Sequence, residues 1–147
     1  LSHYFEEVKN SPFVAFMRPT APLRDPSVIQ RCIDSFFKNK NSCSSIRSMH
    51  ELPEPPYKML KINESGYCEG LFDNFEGEKN YMNLPRRVFP KTYHPNGYVD
   101  IIRPNHFMSD DNLHGKQMLA FITPFAYEVD TMDDFKILKT LYDKDTK

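Results

Sequence analysis

The fold is decided by the stretch FVAFMRPTAPLR, residues 13–24. The five consecutive apolar residues from Phe13 to Met17 are typical of a strand covered on both faces. The loop Arg18–Arg24, which carries two arginines and two prolines, follows at once. Asp25 before Pro26 then predicts an N-cap and the first turn of a helix. Apolar residues continue at helical spacing through Lys38, so this strand–loop–helix unit predicts an α/β fold.

A second informative segment lies about a hundred residues later. Glu128-Val129-Asp130 ends a predicted short strand, and Thr131 with Asp134 three residues on predicts a capping box for a final helix. Open α/β sheets bind ligands at loops that follow strands. The loop Arg18–Arg24 offers cations and the later segment offers carboxylate oxygens. Together they predict a site for a phosphorylated or acidic substrate with a metal.

The residues from His50 to Thr92 have a different character. Five prolines and three glycines interrupt this region, and strand-like pieces remain at Tyr57–Ile62 and Tyr67–Phe72. Such a pattern predicts an irregular insertion, approximately residues 50–92, within a single domain spanning residues 1–147. A long, irregular and apolar stretch rarely packs on a small core of its own, so we expect it to bury itself against a neighbour.

Periodicity predicts the remaining elements of the chain. A first and a last helix are expected, with three further strands and one short helical turn between them. These segments are Ser2–Lys9 and Thr131–Tyr142 for the helices, Ser44–Met49, Tyr98–Ile102 and Gln117–Ile122 for the strands, and Asn105–Met108 for the turn.

Composition excludes several classes of protein. The chain has 147 residues and a formal net charge of −1 without a basic run, which argues against nucleic acid as a partner. Its apolar runs are too short to span a bilayer, and no signal pattern is visible at the N-terminus, so a cytoplasmic location is expected. The three cysteines lack a CxxC spacing, which favours free thiols in a reducing compartment.

Two other chemistries receive little support from the sequence. His94, His106 and His114 match no compact zinc-ligand spacing, and no cysteine joins them. Ser44 and Ser45 have no nearby base in a recognisable nucleophile elbow, so covalent catalysis is not predicted.

The order of these segments resembles the acylneuraminate cytidylyltransferases, the CMP-sialic acid synthetase family, which includes enzymes for legionaminic and pseudaminic acid. The resemblance implies a Rossmann-like three-layer nucleotidyltransferase sandwich, here in partial form, with an irregular β-rich dimerisation insertion. The matching pieces span almost the whole chain and are Arg18–Arg24, Pro56–Lys58, Leu84–Arg87 with Pro90–Tyr93, Pro95–Gly97 and Glu128–Asp134.

One family feature has no counterpart in this sequence. Family members begin with a strand and a loop rich in Gly, Arg and Lys that grips the nucleotide triphosphate, whereas all five glycines here lie at or after Gly66. The resemblance therefore implies the C-terminal portion of a larger enzyme, and we expect residues 1–147 alone to be inactive. The sequence leaves open a truncation, a second chain that supplies the missing part, or a reduced protein.

The chemistry implied by the resemblance is nucleotidyl transfer. The anomeric hydroxyl of an acidic nine-carbon sugar attacks the α-phosphate of CTP, and pyrophosphate leaves with the help of Mg²⁺. Asp130 and Glu128 are the implied metal ligands, and their spacing of two would put both carboxylates on one face of a strand. Family members usually have Asp in place of Glu128. The alternative is that these acids only favour a helix N-terminus.

The resemblance also implies the residues that meet the sugar. Arg18, where the family usually has Gln, joins Asp130 as a catalytic candidate, and Arg18 and Thr20 are expected to contact substrate. Lys58 and Arg86 match basic positions near the sugar, and a carboxylate is a natural partner for such cations. Asn96 matches an Asn near the ligand. The alternatives are solvated surface charges for the cations and a plain turn at Asn96.

A homodimer is also implied, in which the insertion of one subunit reaches over the partner's sugar site. We expect Tyr57–Phe75 at the contact between the two copies. A non-catalytic module that binds acidic sugars and dimerises is one alternative function. A cytidylyltransferase for another acid sugar, such as Kdo, is the other, although the long Pro-rich insertion speaks against it.

Overall fold

The computed structural model describes residues 7–8, 10–105 and 112–145. The chain divides into two compact units. The sheet unit comprises Leu1–His50 with Pro95–Lys147, and the insertion unit comprises Glu51–His94. The insertion unit covers nearly the same residues as the insertion expected from the sequence, while the single domain over residues 1–147 stays a prediction.

Seven strands, two long helices and three short 3₁₀ turns make up the described chain. In chain order they are β1 (Val14–Phe16), α1 (Pro26–Asn39), β2 (Ser45–Glu51), a 3₁₀ turn (Pro56–Lys58), β3 (Leu60–Ile62), β4 (Cys68–Gly70), 3₁₀ turns at Tyr81–Asn83 and Arg86–Val88, β5 (Tyr93–Pro95), β6 (Asp100–Ile102), β7 (Met118–Ile122) and α2 (Met132–Asp145).

The main sheet mixes antiparallel and parallel pairing. Its strand order is β1-β6-β2-β5, and β7 pairs with β2. Strand β6 runs antiparallel to β1 and to β2, whereas β7 runs parallel to β2. A parallel pair needs a crossover connection, which here contains the insertion unit and β6. The α/β class predicted from the sequence is therefore confirmed.

Helix α1 covers one face of this sheet. It begins as predicted: the side chain of Asp25 accepts a hydrogen bond from the backbone N–H of Ser27 at 2.7 Å, and Pro26 occupies the first turn. Val28, Cys32 and Phe36 lie four residues apart on the buried face, and they join a core cluster that includes Ile46, Val99 and Ile101. Burial raises the pKa of the Cys32 thiol to about 12, so this cysteine packs as a small apolar group.

Two sequence expectations are wrong in the sheet unit. β1 is not covered on both faces, because Ala15 is exposed and Met17 keeps 45% of its surface accessible. Its described pairing is with β6 alone, so β1 lies at an edge of the sheet. The segment Glu128–Asp130 is not a strand either; the backbone N–H of Val129 bonds the Thr20 carbonyl instead of joining a ladder.

Two further expectations fall largely outside the described residues. Of the predicted helix Ser2–Lys9, only Glu7 and Val8 are described, and both are helical. Of the predicted turn Asn105–Met108, only Asn105 is described, and it is also helical.

The insertion unit has a small aromatic core. The ring of Tyr57 stacks on Phe89 at a centroid distance of 5.0 Å and also contacts Phe72 and Phe75. Tyr81 is 1% exposed, and its hydroxyl group exchanges hydrogen bonds of 2.9 Å with the backbone N–H and carbonyl of Phe72. The stretch therefore has an aromatic cluster of its own, in which Phe72 keeps 44% of its surface exposed. Its burial against a neighbour stays a prediction.

The approach to β6 contains a break in strand pairing at Asn96–Tyr98. In the register of β2 with β6, Ser48 should lie opposite Val99, yet its carbonyl accepts from the backbone N–H of Asn96 at 3.3 Å. Side chains replace the missing ladder bonds. Ser48 Oγ accepts from the Val99 N–H at 3.0 Å, and Asp100 Oδ1 accepts from the N–H and hydroxyl of Ser48 at 2.8 and 3.1 Å. We call this segment the bulge.

Asn96 joins the bulge to the end of β7. It is fully buried, and its Oδ1 accepts from the backbone N–H of Tyr98 at 3.2 Å. Its Nδ2 donates to Thr123 Oγ1 at 2.7 Å and lies 3.2 Å from His50 Nδ1. Every side of this amide therefore has a partner inside the sheet unit.

Gly97 occupies the tightest position of the bulge. Its φ is +59°, and a Cβ atom added there would lie 2.5 Å from Cδ of Arg18. The backbone N–H of Arg18 donates to the Gly97 carbonyl at 3.2 Å, so the two residues are held together. Glycine is required here for both its backbone conformation and its lack of a side chain.

We predict that Gly97→Ala lowers the free energy of unfolding by more than about 1–2 kcal/mol, which is the cost of the left-handed conformation alone. Urea denaturation measures the change. Gly66→Ala is the matched control, because Gly66 has a φ of +83° but no atom within 4 Å of the added methyl group. Adding Arg18→Ala to Gly97→Ala should recover part of the loss. Equal losses for the two glycine variants would contradict the contact with Arg18.

Candidate functional site

The loop Arg18–Arg24 is held in shape by its own last residue. Arg24 donates from Nε to the Tyr98 carbonyl at 2.7 Å and from Nη2 to the Gly97 carbonyl at 3.1 Å. The same Nη2 donates to the carbonyl of Arg18. Burial lowers the pKa of Arg24 from its ordinary value, as expected for a guanidinium partly removed from water. The loop is therefore fixed to the bulge at both of its ends.

The acidic segment lies beside this loop. The backbone N–H of Val129 donates to the Thr20 carbonyl at 2.7 Å. Ala21 of the loop is 0% exposed, and Ala126, just before the acidic segment, is 5% exposed. The two segments singled out from the sequence are thus adjacent in the sheet unit.

The predicted capping box at the start of α2 is confirmed. Asp134 Oδ2 accepts from the N–H and the hydroxyl of Thr131 at 2.8 and 2.7 Å, and the Asp134 N–H donates to Thr131 Oγ1 at 3.2 Å. The N–H of Asp130 also donates to Asp134 Oδ2 at 3.2 Å. Hydrogen bonds from the side chain and then the backbone of Thr131 lower the pKa of Asp134. Asp134 is therefore committed to the cap.

The two predicted metal ligands differ in their surroundings. Asp130 is exposed, whereas Glu128 is half-buried and its Oε1 has no hydrogen-bond partner within the described chain. A buried carboxylate oxygen without a donor is a group that a cation would satisfy. Over residues 7–8, 10–105 and 112–145, no group of three or more His, Cys, Asp or Glu side chains could hold a metal ion. Mg²⁺ often uses only one or two protein carboxylates and keeps several waters, so the free oxygen of Glu128 suits it. Because residues 128–130 do not form a strand, the expectation that a strand puts both carboxylates on one face is wrong.

The substrate candidates of the sheet unit have unequal access. Arg18 is half-buried, and its guanidinium makes no hydrogen bond or ion pair with any described residue. Thr20 is half-buried and holds the acidic segment through its carbonyl. Asn96 is enclosed in the bulge, so its contact with a substrate stays a prediction while its structural role is visible.

The candidates of the insertion unit already have partners. Lys58 Nζ donates to the Met82 carbonyl at 2.6 Å and lies 5.9 Å from the centroid of the Phe89 ring. Arg86 pairs with the exposed carboxylate of Glu54. Their contact with a sugar stays a prediction.

Arg47 was not singled out from the sequence, and His114 was considered only as a zinc ligand. Arg47 Nε and His114 Nδ1 are buried and have no hydrogen-bond partner among the described residues. Burial and then the charge of Arg47 lower the pKa of His114, with a further lowering contribution from Arg18 and an opposing one from Asp100. One feature of the sequence could have identified Arg47. It is a cation in a predicted strand, and its two neighbours in that strand, Ile46 and Ser48, are buried.

Comparisons with known proteins give one curated relative and a structural likeness. No family model matches the sequence. The chain is 25% identical over 124 residues, 83% of its length, to the post-translational flagellin modification protein B of Campylobacter coli. It spans about half of that relative, namely 49% of its length.

A solved structure with a similar fold is the 4-diphosphocytidyl-2C-methyl-D-erythritol synthase from Anaerococcus prevotii DSM 20548. The TM-score is 0.56 at 8% sequence identity, and the match covers 95% of this chain and 64% of that one. At this identity the likeness concerns the fold alone. The Rossmann-like α/β fold expected from the sequence is confirmed.

None of the described helices is long and apolar enough to cross a membrane.

The cap of α2 gives a pH-dependent prediction. The folded pKa of Asp134 is below its unfolded value of about 3.9, so its stabilising effect is complete above that pH and disappears as the pH falls through the folded pKa. We expect Asp134→Asn to lower the free energy of unfolding at pH 7 and to match the wild type in strong acid. Urea denaturation at a series of pH values measures this difference.

Asp73→Asn is the control for this series, because no described residue donates a hydrogen bond to the exposed Asp73 side chain. That variant should follow the wild type at every pH. A difference between Asp134→Asn and the wild type that stays constant from neutral pH into strong acid would contradict the role of the carboxylate charge.

Proposed function

We propose that this chain is part of a cytidylyltransferase that transfers CMP from CTP to an acidic nine-carbon sugar and releases pyrophosphate. The observation that carries the proposal is the hydrogen bond of 2.7 Å between Val129 and Thr20. This bond holds a cationic loop beside an acidic segment within a nucleotidyltransferase fold. The likeness to a flagellin modification protein supports a sugar-related substrate.

This arrangement suits the charges of the proposed reaction. The sugar hydroxyl forms a bond to the α-phosphorus of CTP, the bond from that phosphorus to the bridging oxygen breaks, and pyrophosphate leaves with the bonding electrons. The hydroxyl proton passes to solvent. Catalysis of such a step comes mainly from positioning and from neutralising phosphate charge. Arg18 supplies a positive charge that no described acid pairs with.

Asp130 and Glu128 would hold Mg²⁺, the proposed cofactor. When bound, the ion neutralises phosphate charge and orients the leaving pyrophosphate. Glu128 offers an oxygen that lacks a donor, and Asp130 offers an exposed carboxylate two residues further on. The Val129–Thr20 bond fixes the backbone between these two side chains.

The other proposed sugar contacts differ in how much their present interactions would have to change. Thr20 belongs to the loop beside the acidic segment, and Asn96 acts through the bulge that shapes this loop. Arg86 could exchange Glu54 for a sugar carboxylate at little cost, because exposed ion pairs contribute only about 0–1 kcal/mol. Lys58 would have to leave a carbonyl and an aromatic ring, so its participation needs a larger change.

Asp130→Asn, made in the intact protein that carries this chain, tests the proposal. We expect transfer from CTP to fall by at least about a hundredfold at limiting Mg²⁺ with little loss of stability, since the change removes a ligand charge but keeps the shape. Pyrophosphate release and thermal unfolding are measured together. Asp133→Asn is the matched control, because the exposed Asp133 pairs with Lys136 at 2.7 Å on the same turn. Normal turnover of Asp130→Asn would make this aspartate a mere neighbour of the helix cap.

We further propose that the insertion unit pairs with a second copy of the chain. The β3–β4 hairpin exposes 54% of Leu60, 75% of Ile62 and 72% of Tyr67. Exposed apolar side chains on a two-stranded sheet favour association, and a two-fold contact would use the same patch twice.

Replacing both Ile62 and Tyr67 by Ser is expected to convert a homodimer into a monomer, because it removes apolar surface from the proposed contact. Light scattering at micromolar concentration measures the mass. Val88→Ser is the control, since Val88 is 46% exposed in the same unit but lies outside Tyr57–Phe75. A wild-type monomer, or a dimer that survives the double substitution, would exclude the hairpin as the interface.

A further inference from the structure

We propose that Arg18, Arg47 and His114 form a carboxylate-binding site on the face of the main sheet opposite α1. The inference rests on the proposed function, since the carboxylate would be that of the acidic sugar. In this proposal, residues of the sheet unit bind the carboxylate of the sugar. Lys58 and Arg86, which were expected to do so, have partners within the insertion unit.

Strand geometry places two of the charged side chains on one face. Ile46 and Ile101 pair with each other and belong to the core that α1 covers. Because successive residues of a strand point to opposite faces, Arg47 and Asp100 lie on the side of the sheet opposite α1. Asp100 also pairs with Phe16 of β1. Two residues later, the side chain of Arg18 lies against Gly97, next to the start of β6.

The loop that carries His114 is anchored to the start of β2. The hydroxyl groups of Ser44 and Ser45 both donate to the His114 carbonyl at 2.7 Å. Asn112 Oδ1 accepts from the backbone N–H groups of His114 and Gly115, each at 3.1 Å. The influence of Arg47, Asp100 and Arg18 on the titration of His114 is consistent with all four groups lying close together.

Hydrogen bonding separates Arg18 and Arg47 from other half-buried arginines. Arg24 binds backbone carbonyls, and Arg103 donates to the Lys40 carbonyl at 2.6 Å and lies over the Phe36 ring. Within the described chain, the guanidinium groups of Arg18 and Arg47 have no such partner. A guanidinium that is partly buried without a hydrogen-bonding partner is costly, and a carboxylate is its best-matched ligand.

The charge balance favours a single carboxylate. Two arginines contribute two positive charges, and Asp100, whose Oδ1 accepts from Ser48, offsets one of them. The lowered pKa of His114 keeps its imidazole neutral at pH 7, so it can donate a hydrogen bond without adding charge. One positive charge remains for the ligand to neutralise.

Titration of the 147-residue chain with sodium acetate at constant ionic strength tests the site. The probes are the ring protons of His114 and the Nε–H signals of the arginines in NMR spectra. We expect saturable shifts of both, and an increase in Kd of tenfold or more for Arg47→Met and for Arg18→Met. Either variant suffices if the other does not fold. Arg31→Met is the control, because Arg31 lies on the exposed face of α1 and contacts Ser27.

Three results would overturn the proposal. They are the absence of saturable shifts, an equal loss of binding in Arg31→Met, and tighter binding of inorganic phosphate than of acetate with the same dependence on Arg47. The titration needs no CTP, so it separates the two proposals. Acetate binding without any nucleotidyl transfer by the intact protein would overturn the proposed function alone.

Discussion

The bulge at Asn96–Tyr98 is the constraint on which the rest of the sheet unit depends. An interrupted ladder leaves buried backbone groups without partners, and each would cost about 1–3 kcal/mol if unsatisfied. Ser48, Asn96 and Asp100 supply those partners from their side chains. The break in turn exposes the carbonyls of Gly97 and Tyr98 to Arg24. The position of the loop Arg18–Arg24 thus follows from a local exception to regular strand pairing.

A series of hydrogen bonds connects the bulge to the acidic segment. Arg24 fixes the loop, Thr20 of the loop accepts from Val129, and Asp134 receives the N–H groups that begin α2. Each step is a hydrogen bond between segments distant in sequence or at a helix end. The loop that carries Arg18 and the segment that carries Glu128 and Asp130 therefore lie side by side, and no salt bridge joins them among the described residues.

Local patterns in the sequence predicted where elements begin more successfully than they predicted which other segments those elements contact. Asp25-Pro26 and Thr131 with Asp134 identified both helix starts correctly, because caps depend on neighbouring residues alone. The same patterns could not show that β1 lies at an edge or that Val129 bonds a loop, since both depend on distant partners. Asn96 was expected either near the ligand or in a plain turn, whereas its burial in the bulge follows from Ser48 and Thr123, far away in the chain. Arg47 was overlooked because only the folded structure shows that its buried Nε lacks a hydrogen-bond partner.

The buried polar atoms of the sheet unit fall into two groups, those that have a hydrogen-bond partner and those that have none among the described residues. Asn96 and Asp100 are almost fully buried and are hydrogen-bonded, so they hold the fold. Glu128 Oε1, Arg47 Nε and His114 Nδ1 are buried in the same unit without described partners. Thr92 Oγ1 of the insertion unit is a fourth such atom. Because folded proteins satisfy nearly all buried polar atoms, the acid and the two nitrogen donors of the sheet unit support the proposed cation at Glu128 and the proposed carboxylate at Arg47 and His114.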